Sequence, residues 1–316
     1  MKKILGIGNA LVDVLLEIEN DEQIEQFGLL KGGMEMIDAS KKREIHASIG
    51  HLKQKIASGG STSNTIYGLA KLGAQTGYIG KISHDEAGDF FKNDMIKANI
   101  NTHFLYSDID TGIATTFISS NGERTFATYL GAASTMTPDE IDVEVMKKYD
   151  MVHVEGYLIF NKDLVIDICK KAKQCGLLIS MDMASYNLVE VMHDLVKELL
   201  VNYVDIIFAN EEEAKAFTGK EEYEALDELS KYCPVAVVKL GPRGSIAKVN
   251  GKIVEIAAAP GERIDTTGAG DIYAAGFLYG LTHNLSIEES GALASRLGAA
   301  CIQTIGARIG DEHFTN

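Results

Sequence analysis

From Thr137 onward the chain keeps one rhythm, and that rhythm restricts its fold more than any single residue does. Strand-like apolar runs at 151–154, 177–182, 204–208 and 235–240 are separated by segments of helical character. This alternation argues for a parallel sheet with helices packed on its faces. The same rhythm begins earlier. Lys3-Ile4-Leu5-Gly6-Ile7-Gly8 reads as a buried first strand, 76–80 as another, and Asp85 opens an amphipathic helix through Asn99. Thr137-Pro138-Asp139-Glu140 has the pattern of a capping box with proline at the first helical position. The expected class is α/β.

Residues 103–130 break this rhythm. Thr115-Thr116-Phe117-Ile118 and Thr125-Phe126-Ala127-Thr128-Tyr129-Leu130 are β-rich runs about Asn121-Gly122, a strong hairpin signal. With residues 13–19 and 34–38 they are expected to form a small sheet that covers a ligand site. Met34, Met36 and Phe117 would line an apolar slot beneath it. Arg124, beside the turn, is either a solvated arginine or a phosphate contact. The whole chain, 1–316, is expected to be one domain carrying this β lid from about 13–19, 34–38 and 103–130.

The chemistry concentrates in Asp265-Thr266-Thr267-Gly268-Ala269-Gly270-Asp271, followed by an apolar helix. A helix start leaves backbone N–H groups unpaired and carries the positive end of the peptide dipole. Gly268, Ala269 and Gly270 let that backbone approach an anion closely, and Asp271 stands beside it. A carboxylate next to an anion trap suits a hydroxyl that loses its proton while attacking a phosphoryl group. On spacing alone, an Asp capping a helix after a glycine turn is an equal reading. Ser58-Gly59-Gly60-Ser61-Thr62-Ser63-Asn64 opens a second helix that runs to Leu72 and stops at Gly73. Its glycines either press backbone against a ligand or only loosen a cap. Asp13 lies at a strand exit, where open α/β sheets hold ligands, although a surface turn would also place it there. Gly6-Ile7-Gly8 lacks the third glycine of a dinucleotide fingerprint, and a P-loop motif is absent from the sequence.

The overall balance narrows the function classes. The 316 residues suffice for one large α/β domain or two modest ones. A net charge of −15 speaks against a nucleic-acid-binding surface, which needs Lys and Arg to displace counterions. Cys169, Cys175, Cys233 and Cys301 have no paired metal spacing and read as reduced core thiols of a cytoplasmic protein. With neither a signal peptide nor an apolar run of membrane-spanning length, a soluble protein without membrane contact is expected.

The seven residues 265–271 resemble the C-terminal signature of the ribokinase/PfkB family of carbohydrate and nucleoside kinases. Gly59-Gly60-x-x-x-Asn64 resembles its N-terminal signature, and Asn210-x-x-Glu213 its Asn-x-x-Glu motif. The resemblance covers nearly the whole chain and implies a ribokinase-like three-layer fold, a central mostly parallel sheet with a small β lid. It implies Asp271 as catalytic base, with the loop 268–270 as anion hole. Asn9, Asp13, Gly59, Gly60, Asn64 and Glu155 would bind the acceptor. On the nucleotide side it implies Asn210, Lys239, Gly241, Gly244 and Thr267 as ATP contacts, and Glu213 as organiser of Mg2+ through water. Magnesium keeps much of its water, so one carboxylate with an Asn suits it, though three acids at a helix start also simply complement the dipole. Asp265, with Gly306-Ala307-Arg308, would help bind a monovalent cation such as K+. Lys239 departs from the pattern, since the family usually has Thr there. It either reaches a phosphate directly or marks different nucleotide handling.

Gly8-Asn9-Ala10-Leu11-Val12-Asp13, Lys31-Gly32-Gly33-Met34 and Gly59-Gly60-Ser61-Thr62 look most like the adenosine-kinase branch. The expectation is an ATP- and magnesium-dependent kinase of a nucleoside 5′-hydroxyl, working as a monomer or homodimer. A sugar kinase acting on ribose or fructose is the alternative, favoured by Ser180-Met181-Asp182-Met183-Ala184-Ser185, which departs from the adenosine-kinase pattern. Two other classes fit the sequence less well. A non-catalytic regulatory protein would have favoured loss of Asp271, and a dinucleotide oxidoreductase is disfavoured by the missing glycine.

Overall fold

A computed structural model describes residues 2–120 and 123–315. The larger of its two main sheets has nine strands, in the spatial order Lys252–Ile256, Ser245–Val249, Val235–Lys239, Ile206–Asn210, Leu178–Asp182, Met151–Val154, Ile4–Ile7, Thr76–Ile79 and Asn101–Thr102. Every neighbouring pair is parallel except the last two pairings at the Lys252–Ile256 edge. Ile4–Ile7 and Met151–Val154 are buried at all four positions, because helices cover both faces of the sheet and no strand side faces water.

Two apolar layers result. One packs Val165, Ile168 and Leu199 from helices against Leu5, Val152 and Ile207 of the sheet. The other packs Ile66, Phe277 and Leu297 against Ile4, Tyr78 and Phe208. The helix Ala269–Thr282 is apolar on nearly all sides. Its closest companions are Ser61–Lys71 and Ile287–Cys301, so it has no solvent stripe to keep polar. That central placement brings the start of Ala269–Thr282 against the start of Ser61–Lys71.

The second sheet has five strands, ordered Met34–Met36, Arg124–Tyr129, Gly112–Ile118, Leu11–Glu17 and Gln54–Gly59. Gly112–Ile118 and Arg124–Tyr129 are antiparallel, as the β-rich runs suggest; the turn residues Asn121 and Gly122 lie outside the described residues. Two corrections apply to the lid as read from sequence. Residues at the start of 103–130 do not join it: Leu105–Ser107 pairs with Lys81–Ser83, and Asn101–Thr102 edges the main sheet. Asn101–Thr102 follows the crossover helix Glu86–Lys97 and so lies parallel to Thr76–Ile79, whereas Leu105–Ser107 forms a separate two-stranded sheet with Lys81–Ser83. Conversely, Gln54–Gly59 is a strand that the reading passed over. Its first residues are half-exposed and polar, as an edge strand allows, which hides the alternation.

Candidate active site

Parallel strands end where ligands bind, and two neighbouring ones supply this cavity. Asn9 follows Ile4–Ile7, and Glu155 follows Met151–Val154 next to it. Glu155 is buried, and its carboxylate is already engaged. Asn9 Nδ2 donates to Oε1 at 2.5 Å, while the N–H groups of Asn9 and Thr62 donate to Oε2 at 3.2 Å each. It therefore ties the Asn9 loop to the start of the helix Ser61–Lys71. Burial raises its pKa to about 7, against the pull of the Asn9 hydrogen bond.

That helix begins at Gly60, whose φ of +87° places it in backbone space that residues with a Cβ avoid. Its first turn then meets Asp271. Ser61 Oγ donates to Oδ1 at 2.7 Å and Asn64 Nδ2 to Oδ2 at 3.0 Å, so the carboxylate is fixed from two sides. Burial raises Asp271 to about 6, with both hydrogen bonds holding it down. Gly268, immediately before the helix, has φ +74° and packs on Ala307. Asp13 backs onto Gly59 with no hydrogen bond from another described residue. Burial raises it to about 7, and the Arg308 guanidinium offsets part of that rise.

Asn9, Asp13, Gly60, Asn64, Glu155, Thr267, Gly268 and Asp271 all line one cavity of about 420 Å³. Its lining also includes the apolar side chains of Met34, Met36, Phe126, Leu130, Leu158 and Phe160, together with Thr128, Ser134, Tyr157 and Asn161. Phe117 is not among them. It is opposite Thr125 in the hairpin register, one place away from the Thr116–Phe126 pair, so strand alternation turns it to the other face. There it packs on Phe27 and is fully buried. Phe126 is the aromatic that faces the cavity.

Of the residues predicted for the nucleotide, Thr267 lines this cavity, whereas Asn210 and Lys239 gather separately with Glu213. Asn210 and Glu213 form a reciprocal capping box: Asn210 N donates to Oε2 at 2.8 Å, Asn210 Nδ2 to Oε1 at 2.9 Å, and Glu213 N back to Asn210 Oδ1 at 2.8 Å. Burial and the charge of Asp182 push the Glu213 carboxyl up, and Lys239 opposes them. Lys239 Nζ donates to Asp182 Oδ2 at 2.7 Å. Burial alone would lower the lysine, yet Asp182 and Glu213 hold it above its usual range. The same Nζ lies 3.0 Å from where a side chain on Gly270 would begin, so this cluster touches the anion loop. Gly241 and Gly244 bound a short turn beyond Lys239 and lie away from the cavity. Arg243 in that turn pairs outward with Glu211 and Glu222. The oxygen-rich set of Asp182, Glu213 and Asn210 suits a magnesium ion held mainly by phosphates and water. Among the described residues no cluster of three His, Cys, Asp or Glu could hold a metal by itself.

Asp265 is buried and accepts three donors: Thr267 N at 2.7 Å, Gly306 N at 2.6 Å and Arg124 Nη2 at 2.5 Å. Arg124 also donates to Thr267 Oγ1. Arg124 therefore crosses from the second sheet to the 265–267 loop. Sequence reasoning missed Ser61 and Asp182 as parts of this assembly, and it placed Arg308 only with the cation segment 306–308. Arg308 stacks on Tyr67 with 4.1 Å to the ring centroid, and it is the chief positive charge acting on Asp13. The position of Asp182 at the exit of a strand was a signal available for it.

Residues 24–313 match the pfkB family of carbohydrate kinases. The chain is 32% identical to the adenosine kinase from Sinorhizobium meliloti, whose crystal structure superposes with a TM-score of 0.88 over 97% of this chain and 95% of that one. A probable sugar kinase from Rhizobium etli is 30% identical, with a TM-score of 0.89 over 98% and 95%. Adenosine kinase from Saccharomyces cerevisiae is 27% identical across 96% of this chain and 95% of the yeast protein.

Proposed function

The chain belongs to the pfkB family of carbohydrate kinases and is a phosphotransferase acting on an alcohol group, and we propose that its acceptor is a nucleoside, phosphorylated at the 5′-hydroxyl. One observation carries this choice: the cavity joins a group of hydrogen-bonding residues to several large apolar side chains. Asn9, Asp13, Asn64 and Asp271 offer hydrogen-bond partners to a ribose, whereas Met34, Met36, Phe126 and Phe160 offer none. A monosaccharide has hydroxyls all round and would leave both itself and that wall poorly matched. A flat base covers those apolar side chains with little polar surface lost.

In this reading the donor is ATP with magnesium, whose charge helps neutralise the phosphates. Asp271 accepts the proton of the attacking hydroxyl. Its pKa near 6 leaves it ionised at neutral pH, and Ser61 and Asn64 keep it aimed. A modest base suffices, because the proton leaves late in a loose phosphoryl-transfer transition state. The N–H groups of residues 268–270 face the transferred group, and Lys239 adds a positive charge beside Gly270. The second sheet acts as a lid, excluding water that would otherwise take the phosphoryl group. Cys169, Cys175, Cys233 and Cys301 are all free thiols, which suits a cytoplasmic enzyme. Among the described residues no helix is long and apolar enough to cross a membrane.

The sugar-kinase alternative draws on the 180–185 segment. Asp182 within it is bound to Lys239 and to Ala184 N at 2.9 Å, on the nucleotide side, so its departure from the adenosine-kinase pattern bears little on the acceptor. Turnover with ATP and magnesium should give a higher kcat/KM for adenosine than for ribose or fructose. The reverse order would overturn the nucleoside assignment and leave the kinase standing.

A further inference from the structure

The family resemblance points to a monovalent cation at Asp265, and the surroundings of that carboxylate do not fit one. Both oxygens are engaged by backbone N–H groups, Thr267 N on Oδ1 and Gly306 N on Oδ2. A third donor, Arg124 Nη2, lies 2.5 Å from Oδ2. The carboxylate has no exposed surface and the arginine side chain is 11% exposed, so little solvent screens the pair. A metal ion entering here would meet N–H donors, which repel it, and a guanidinium already holding the place of the counter-charge.

We infer that Arg124 is a built-in cation: it does for the 265–267 loop what a bound potassium ion would do, and the enzyme therefore does not require potassium. The geometry supplies a reason beyond charge neutralisation. The other Nη of the same guanidinium donates to Thr267 Oγ1, one residue before the anion loop. Thr267 is thus held by its backbone through Asp265 and by its hydroxyl through Arg124. A spherical ion has no such directional fork. Arg124 is here a positioning residue, acting on the anion hole through Asp265 and Thr267.

The test compares potassium, sodium and tetramethylammonium chloride at equal ionic strength, for the wild type and for Arg124→Gln and Arg124→Lys. Melting temperature is read without substrates, and rate is read with any acceptor that is turned over. The wild type should show no potassium-specific rise in melting temperature and a rate constant to within about twofold across the three salts. Arg124→Gln should lose rate by about tenfold or more in tetramethylammonium. It should then recover severalfold in potassium, with a potassium-specific rise in melting temperature. Arg124→Lys should retain salt indifference with a lower rate, because it keeps charge and loses the fork. A wild type activated severalfold by potassium and stabilised by it overturns the inference, even where the variants fail to fold. So does a folded Arg124→Gln that no cation rescues. The melting arm needs no acceptor, so failure of the nucleoside assignment and failure of this inference are separately visible.

Discussion

The two ends of the site are built on opposite principles. At the proposed acceptor end, the Asp13 carboxylate lines the cavity with no hydrogen bond from another described residue, and large apolar side chains share the lining. At the nucleotide end the predicted polar groups already have partners. Asn210 and Glu213 cap a helix for each other, and Lys239 is bound to Asp182. In the proposed reading the acceptor pocket selects by shape and through the Asp13 carboxylate. The nucleotide end selects by net charge, since phosphates must compete with Asp182 for a lysine that stays protonated throughout.

The sharpest break should come where the two ends meet. Asp271→Asn keeps the shape and the Asn64 neighbour but cannot take a proton. Turnover should fall by about two orders of magnitude or more, with ATP binding nearly unchanged. A variant retaining half the wild-type rate would remove Asp271 as the base. Lys239→Met comes next. It should lower kcat/KM for ATP about tenfold or more and also lower the melting temperature, because Asp182 and Glu213 are left as buried acids without a counter-charge. Equal effects on ATP and acceptor KM would erase the proposed division between the ends.

Phe126→Ala tests the other side alone. Deleting the ring should raise the nucleoside KM by about tenfold and leave the ATP KM in place. Phe117→Ala should instead destabilise the second sheet, since that ring is fully buried against Phe27. The smallest effect is on pH. Burial raises Asp271 to about 6 and Asp13 to about 7, so kcat/KM should fall as pH drops from 8 to 6. Stability should move the other way. Buried Asp13 and Glu155, each near 7, hold protons that the unfolded chain has released above about pH 4. Their contribution to stability is present at low pH and lost as pH rises through about 7. The melting temperature should be higher at pH 6 than at pH 8, and Glu155→Gln should flatten that difference.

Most of the framework was legible, and the reasons are local. The strands 151–154 and 235–240 announce themselves by composition. The loop 265–271 announces itself by glycines that only a tight helix start requires. What escaped depends on where distant segments meet. Phe117 and Phe126 are equally plausible as pocket walls until strand alternation assigns one to each face. Arg124 reads from sequence as a solvated arginine or a phosphate contact beside a turn, whereas its partners, Asp265 and Thr267, are far along the chain. Ser61 was only one hydroxyl in a polar run, and nothing near it in sequence reveals Asp271 as its acceptor. Gln54–Gly59 lacked periodicity because an edge strand need not bury its first residues.

That separation between Ser61 and Asp271, 210 residues, also sets an order in time. Synthesis runs from the N-terminus, so the acceptor-side residues Asn9, Asp13 and Asn64 leave the ribosome long before the helix Ala269–Thr282 exists. The strand Ile4–Ile7, which needs Met151–Val154 on one side, waits in the same way. In the proposed reading, a nascent chain thus carries a half-built acceptor site with no base and no anion hole. It cannot spend ATP until nearly the whole polypeptide has been made, and a prematurely ended chain is inert rather than wasteful.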